Sequence, residues 1–494
     1  MPFETTLSYN MDPVSVAVGF VAVVIVHKVY RRYTRISLAD VPGPESASFI
    51  MGDDHKRHRK VMLPGFGAPE SKAFLPIFQG CAESMSNKWM DMISNSKEES
   101  AVFNIPKWLS RATFDAIGEA AFDIRFGSID NNENELGRAY GSMMTTLFAA
   151  PSVGQIFFQG LTTYIPLRIL EYFGNNGNNP RIVRMRETGI IATSVAKQMV
   201  EDKAEMLLQG KGSRDVFSLL GGFTTSFQSS KSDKSIVKAN MDADAKAKLT
   251  DEELFSQMRT ILFAGHETTA NTLSWALFEL AKRPEIQSRL RAEIRETEAT
   301  VLARGDTEFT MADLDAMPYT TAVVKEVLRF CPVIYEVHRY ASQDDVLPLS
   351  QPITARSGKV IHQLPIPKGI RIVASIAAYN RNKDLWGEDA HVFNPERWLN
   401  GVASDKKSTS VGVYANLMTF LGGVRACIGW RFAVIEMQAF MTEIFGKFEL
   451  ALTDKSERVR REACLVMVPT VEGEVEHGPQ LMLRVSVAPR TEKE

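Results

Sequence analysis

FLGGVRACIG, residues 420–429, sets one cysteine, Cys427, between glycines and an arginine and just ahead of an apolar periodic stretch that predicts a helix. A cysteine at a helix N-terminus feels the positive end of the helix dipole and its unpaired backbone N–H groups, and both favour the ionised sulfur. Arg425 adds a nearby positive charge. Gly422, Gly423 and Gly429 would let the backbone come close to a flat ligand, where a side chain would hold it off. These features suit a metal-bound thiolate. The competing reading is a buried structural cysteine after a glycine-rich turn, the better one for a lone cysteine.

The pattern FxxGxRxCxG is matched at every fixed position, by Phe420, Gly423, Arg425, Cys427 and Gly429. On these residues the sequence resembles the cytochrome P450 superfamily, the heme-thiolate monooxygenases. The resemblance implies heme b (iron protoporphyrin IX) with the Cys427 thiolate as axial ligand, whose electron-rich sulfur favours O–O bond cleavage. The other motif residues would frame the cofactor.

The rest of the composition narrows the class. An apolar content of 45% over 494 residues is ample for a core, and a formal net charge of -2 gives no sign of a nucleic-acid partner. The four cysteines, at 81, 331, 427 and 464, make neither a CxxC zinc signature nor a dense disulfide framework, which points to a reduced, cytosol-facing catalytic part. An apolar run from Val14 to Val26 precedes His27, Lys28, Arg31, Arg32 and Arg35. Met11 to Tyr30 could span a bilayer with Lys28 snorkelling, and the basic flank belongs on the cytosolic side. The expectation is a retained signal anchor over residues 1–36, against an interfacial helix or cleaved leader, with a catalytic domain over 37–494. A stiff Val41–Pro44 joint follows the anchor.

Residues 70–300 read as mainly helical, broken by loops at 174–180 and 226–248. Alternating apolar residues at 359–377 and 480–487 predict minor sheets. The expected fold is mainly α with small β-sheets. The strongest predicted helix covers 251–282, with an interior stripe through Met258, Ile261, Gly265, Thr268, Thr272, Ala276 and Leu280. Ala264–Thr269, AGHETT, interrupts that stripe with a glycine that costs roughly 1 kcal/mol relative to alanine and a threonine able to compete for backbone carbonyls. Taken alone, it could be a helix with one solvated polar patch. It resembles the AGx(D/E)TT motif of the P450 distal helix, in which Ala264 and Gly265 line the cofactor groove. Glu267 and Thr268 would then organise water that carries protons to the reacting oxygen. His266 occupies a variable position and is not expected to be a ligand.

Glu326 and Arg329, spaced i to i+3, would mean little on a helix surface. With FNPERW at 393–398, which supplies Arg397, they resemble the family's structural clamp of one carboxylate between two guanidinium groups. His55 and Arg59 share a helical face in HKRHRK and read either as a solvated basic patch or, by resemblance, as heme-propionate partners. Arg339 and Arg425 join them as anion partners on the same ground.

The resemblance runs from Gly52 to the C-terminus and fits the microsomal branch of fungal type. It breaks between Pro44 and Gly52, where family members carry several tens of residues holding the first helix, most strands of the larger sheet and a roof over the pocket. A missed exon or splice variant explains this better than an evolved miniature. Loss of a sheet removes burial from everything it packed on, so the expectation is a destabilised protein with an open pocket. The implied activity is insertion of one oxygen atom from O2 into a small lipophilic substrate. Electrons would come from NADPH through a flavoprotein reductase, at the endoplasmic reticulum membrane. The alternatives are a non-catalytic or defective heme-binding product, and a heme-thiolate isomerase or peroxygenase.

Overall fold

The structure is a computed structural model and describes residues 53–130, 165–208, 249–399 and 411–489, with scattered positions between 136 and 161. The anchor and its basic flank, the proline joint, the junction at 44–52 and the 226–248 loop lie outside the described residues. Among the described residues no helix is long and apolar enough to cross a membrane. The chain divides into two units, Met1–Arg57 and His58–Glu494, and the described part of the first is the start of helix α1.

The principal elements follow in chain order as α1 (Asp53–Met62), α2 (Leu75–Ser94), β1 (Ser100–Asn104), α3 (Ile105–Phe122), α4 (Leu167–Asn176), α5 (Pro180–Leu208) and α6 (Asp251–Ala281). After these come α7 (Pro284–Ala303), α8 (Pro318–Phe330), β2 (Glu336–Tyr340), β3 (Asp345–Thr354), β4 (Val360–Ile366) and β5 (Arg371–Ser375). The chain then runs through α9 (Trp430–Lys447), β6 (Phe448–Leu452), β7 (Val459–Cys464), β8 (Val466–Val471) and β9 (Met482–Val487). Proline in the first turn opens α2, α3, α7 and α8, where its missing N–H costs nothing and its fixed φ suits the helix. α8 stops before Pro332, as a residue preceding proline disfavours the helical region.

Helix α6 begins with a full capping box: Thr250 Oγ1 accepts from the Glu253 N–H at 3.3 Å, and Glu253 Oε2 accepts from the Thr250 N–H at 2.8 Å. The expected stripe is buried at Met258, Ile261, Thr272, Ala276 and Leu280. Burial is wider than one stripe, however, because every residue from Thr269 to Ala281 is buried. A helix enclosed on all sides has no solvent face to keep polar, so its sequence shows only a weak periodicity.

The sheets are small and antiparallel. β9 lies between β1 and β6, pairing Phe103 with Leu483 and Leu450 with Val485, and all four side chains are buried. β7 pairs with β8, and Trp275 of α6 donates to the Met467 carbonyl of β8 at 2.9 Å. The remaining ribbons, β2–β5 and β3–β4, differ in kind. Tyr340, Val346, Leu347, Ile353, Val360, Ile370 and Val373 on or beside them are all exposed, Tyr340 by 63%. A sheet is ordinarily stabilised by a second layer on its apolar face.

Glu436 on α9 is fully buried, and neither carboxyl oxygen has a hydrogen-bond partner. Burial pushes its carboxyl well above the ordinary value; the nearby Thr269 hydroxyl opposes this without reaching hydrogen-bond geometry. The folded protein therefore holds a proton that an unfolded glutamate loses above about pH 4.3, and stability falls as pH rises above that point, by up to about 1.4 kcal/mol per unit. Glu436→Gln should remove this slope. Thermal midpoints recorded from about pH 5 to pH 8 should diverge increasingly in the variant's favour, and parallel curves would contradict the assignment.

Candidate active site

Cys427 lies two residues ahead of the Gly429 N-cap of α9, as the sequence leads one to expect. Its N–H donates to the Phe420 carbonyl at 2.8 Å, closing the loop on itself. Leu421 in that loop has φ 57°, a conformation costly for any residue but glycine, held by its N–H to Met418 and its carbonyl to Val413. Gly422 is required for packing: a Cβ there would come within 1.9 Å of the Val411 carbonyl oxygen. Gly423 has φ +68° and open space where a Cβ would be.

Arg59 from α1 donates to the Ala426 carbonyl at 2.7 Å, which brings its guanidinium beside the cysteine. Cys427 has accessible surface, yet protein surrounds it closely enough that burial pushes its thiol up, opposed by the Gly429 N–H and the Arg59 charge. The other three cysteines are buried in packed core. Cys331 and Cys464 are each pushed up to about 12, chiefly by burial, and Cys81 is raised for the same reason.

α1 is anchored by a residue that sequence reasoning passed over. His58 Nε2 meets Glu253 Oε1 at 3.0 Å and His58 Nδ1 meets Gln257 at 3.2 Å, so the residues that begin α6 also hold the His58–Met62 end of α1. His55 is buried, Arg339 is exposed on β2, and Arg425 is half-buried.

On α6, Ala264 is exposed and Thr268, one turn later on the same face, is half-buried. Thr268 Oγ1 donates to the Ala264 carbonyl at 2.8 Å, the backbone competition expected from its type. Gly265 looks the other way, toward α3, where a Cβ would come 2.6 Å from Ile117. Glu267 is also turned to α3: it is 3% exposed, and Ser110 Oγ donates to its Oε1 at 2.7 Å. Neighbouring residues on a helix lie about 100° apart, so the acid and the alcohol occupy different faces.

The clamp is complete. Arg329 grips Glu326 with two bonds of 2.8 Å, and Arg397 Nε approaches Glu326 Oε1 at 3.2 Å. The Asn394 N–H at 2.7 Å and the Trp398 indole at 3.0 Å supply the remaining donors to the same carboxylate. Arg329 also donates to the carbonyls of Asn380, Ala390 and Val392. Arg397 reaches Asp389 Oδ2 at 2.9 Å, so two guanidinium groups face two carboxylates. Burial works against the Asp389 charge, but donation from Asn394 and Arg397 holds its carboxyl below the usual value. No spacing pattern in the sequence marked Asp389.

A sequence profile described as Cytochrome P450 matches residues 19–477. Cytochrome P450 monooxygenase 205 of Postia placenta is 34% identical over 458 residues, covering 91% of this chain and 79% of that protein. Ganoderic acid synthetase CYP5150L8 of Ganoderma lucidum is 31% identical over 450 residues, covering 88% and 78%. Cytochrome P450 monooxygenase claQ of Ampulloclitocybe clavipes is 29% identical over 461 residues, covering 92% and 79%. The chain belongs to the cytochrome P450 family, the heme-thiolate monooxygenases whose iron is held by a cysteine.

Proposed function

We propose that this chain inserts one atom of dioxygen into a small lipophilic substrate, with Cys427 as the axial ligand of heme iron and NADPH electrons delivered by a separate flavoprotein reductase. The observation that carries this reading is that Cys427, alone among the four cysteines, is exposed, with an N–H and a guanidinium group beside it. The donor set fits heme in two further respects. Ala264 carries only a methyl group on the accessible face of α6, and Arg59 uses one N–H on Ala426, leaving others for a carboxylate such as a heme propionate. Phe420, Gly423, Arg425 and Gly429 frame the cysteine, while His55, Arg339 and Arg425 are the other candidate anion partners. When bound, heme supplies the redox chemistry that activates dioxygen.

The chain's own residues then manage protons and water. Thr268 holds its hydroxyl at the Ala264 carbonyl, from which its oxygen accepts a hydrogen bond from groove water, and Glu267 is the acid that resupplies protons. Exposed Ile169, Tyr172 and Phe173 on α4 support a lipophilic substrate and a membrane-side location. The apolar run before the catalytic part supports single-pass anchoring at the endoplasmic reticulum with the catalytic part in the cytosol.

Reductase-dependent NADPH consumption with product formation tests the reading. Thr268→Ala should lower product formation by on the order of 100-fold while NADPH oxidation continues into hydrogen peroxide. Equal loss of both, or of neither, would contradict the role given to Thr268. The exposed β2–β5 and β3–β4 ribbons favour a second reading, a heme-binding product too open to couple turnover to substrate. NADPH oxidation without product from the unaltered chain would select it.

A further inference from the structure

We propose that His58 is a positioning residue for the cysteine site: bound to the start of α6, it fixes the His58–Met62 turn so that the Arg59 guanidinium stays beside Cys427. The proposal rests on the monooxygenase reading above. His58 is 6% exposed, and both of its ring nitrogens are engaged. The Gln257 amide nitrogen can only donate, so Nδ1 accepts from it at 3.2 Å, and Nε2 carries the hydrogen that reaches Glu253 Oε1 at 3.0 Å. Glu253 and Gln257 are four apart and share one face of α6. Each is fixed in turn. The second oxygen of Glu253 accepts the Thr250 N–H of the capping box at 2.8 Å. Gln257 is buried, and its Oε1 has no hydrogen-bond partner, so its amide serves the ring at the cost of its own acceptor.

Two bonds to opposite sides of a planar ring set both its position and its plane, and with them the backbone that carries it. The next residue is Arg59, whose side chain leaves the helix about 100° further round. Its Nη1 donates to the Ala426 carbonyl at 2.7 Å. Among the described residues no carboxylate pairs with Arg59, so its aim depends on where the turn is fixed. A free arginine side chain has roughly 2 kcal/mol of rotamer entropy to lose, which makes that dependence strong. Past the turn, Phe66 meets Phe432 of α9 edge-on at 6.5 Å. Arg59 therefore lies between a polar attachment to α6 and an apolar one to α9.

The consequence is electrostatic. A guanidinium beside the sulfur opposes electron donation to the metal and favours the less positive, reduced iron. Moving it away lowers the midpoint potential. His58 touches neither the sulfur nor the Ala426 carbonyl in this arrangement and acts through Arg59.

The test uses the full-length holoenzyme and reads the midpoint potential and the heme affinity. His58→Phe keeps a buried ring but loses both polar contacts; it should lower the potential and weaken heme binding about tenfold. Arg59→Met should do the same, and His58→Phe should add little in the Arg59→Met background. His58→Gln, whose amide can donate to Glu253 and accept from Gln257, should restore both readings. Gln257→Leu, made on α6, should shift the potential the same way by less, and it carries the test should His58→Phe not fold. An unmoved potential in His58→Phe or, where that protein does not fold, in Gln257→Leu would overturn the proposal, as would a shift undiminished in the Arg59→Met background. The ferrous carbon monoxide spectrum separates the two readings. If the unaltered chain lacks the thiolate band, the monooxygenase reading has failed; if it has the band and the two changes are additive, the role of His58 has failed.

Discussion

Glu326→Ala lowers the unfolding free energy by about 3–5 kcal/mol, the cost of leaving buried charges unpaired. The carboxylate is fully buried and receives five donors, two from Arg329 and one each from Arg397, Asn394 and Trp398. Removing it strands two buried guanidinium groups with only Asp389 as a counter-charge. Total stabilities are commonly about 5–15 kcal/mol, so the variant should be marginal at best. Denaturant unfolding measures this directly, and a change below about 1 kcal/mol would show that the network is a solvated ion pair rather than a buried clamp. The clamp ties α8 to the segment at 386–398, and it does so through backbone carbonyls as much as through charge.

Cys427→Ala abolishes product formation, while Cys81→Ala, Cys331→Ala and Cys464→Ala retain it in whatever fraction folds. The contrast follows from environment. Three sulfurs are enclosed in packed core, where burial keeps the thiol protonated. Burial pushes the fourth thiol up as well, but it alone of the four is exposed, and the Gly429 N–H and the Arg59 charge at the start of α9 oppose the rise. The check is product yield per folded protein across the four single variants. Loss in Cys331→Ala with retention in Cys427→Ala would contradict Cys427 as the ligand.

Much of this arrangement is legible in the sequence because it depends on local spacing. The α6 boundaries follow from Thr250 and Glu253 at one end and Pro284 beyond the other. The cysteine is marked by its place before a helix, whereas the i to i+3 pair and the PERW segment point to a clamp only through the family resemblance. What stayed hidden depends on tertiary packing. His58 joins its network through Glu253, 195 residues away, and Asp389 through Arg397, 8 residues on in an irregular segment with no period to mark the pair. Gly265 and Gly422 read as room for a ligand, whereas Ile117 and the Val411 carbonyl occupy the space a Cβ would need. Glu267 and Thr268 read as one relay, but a helix turns between consecutive residues, and only the packing of α3 shows where the acid is kept.

The central claim, that Cys427 is the thiolate ligand of a heme in a chain with open β2–β5 and β3–β4 ribbons, is tested most directly by the ferrous carbon monoxide difference spectrum of the 494-residue protein beside Cys427→Ala. The account predicts a strongly red-shifted Soret band in the unaltered protein and its loss in the variant. A band that persists in Cys427→Ala, or that is absent from an unaltered protein shown to be folded and heme-loaded, would contradict it.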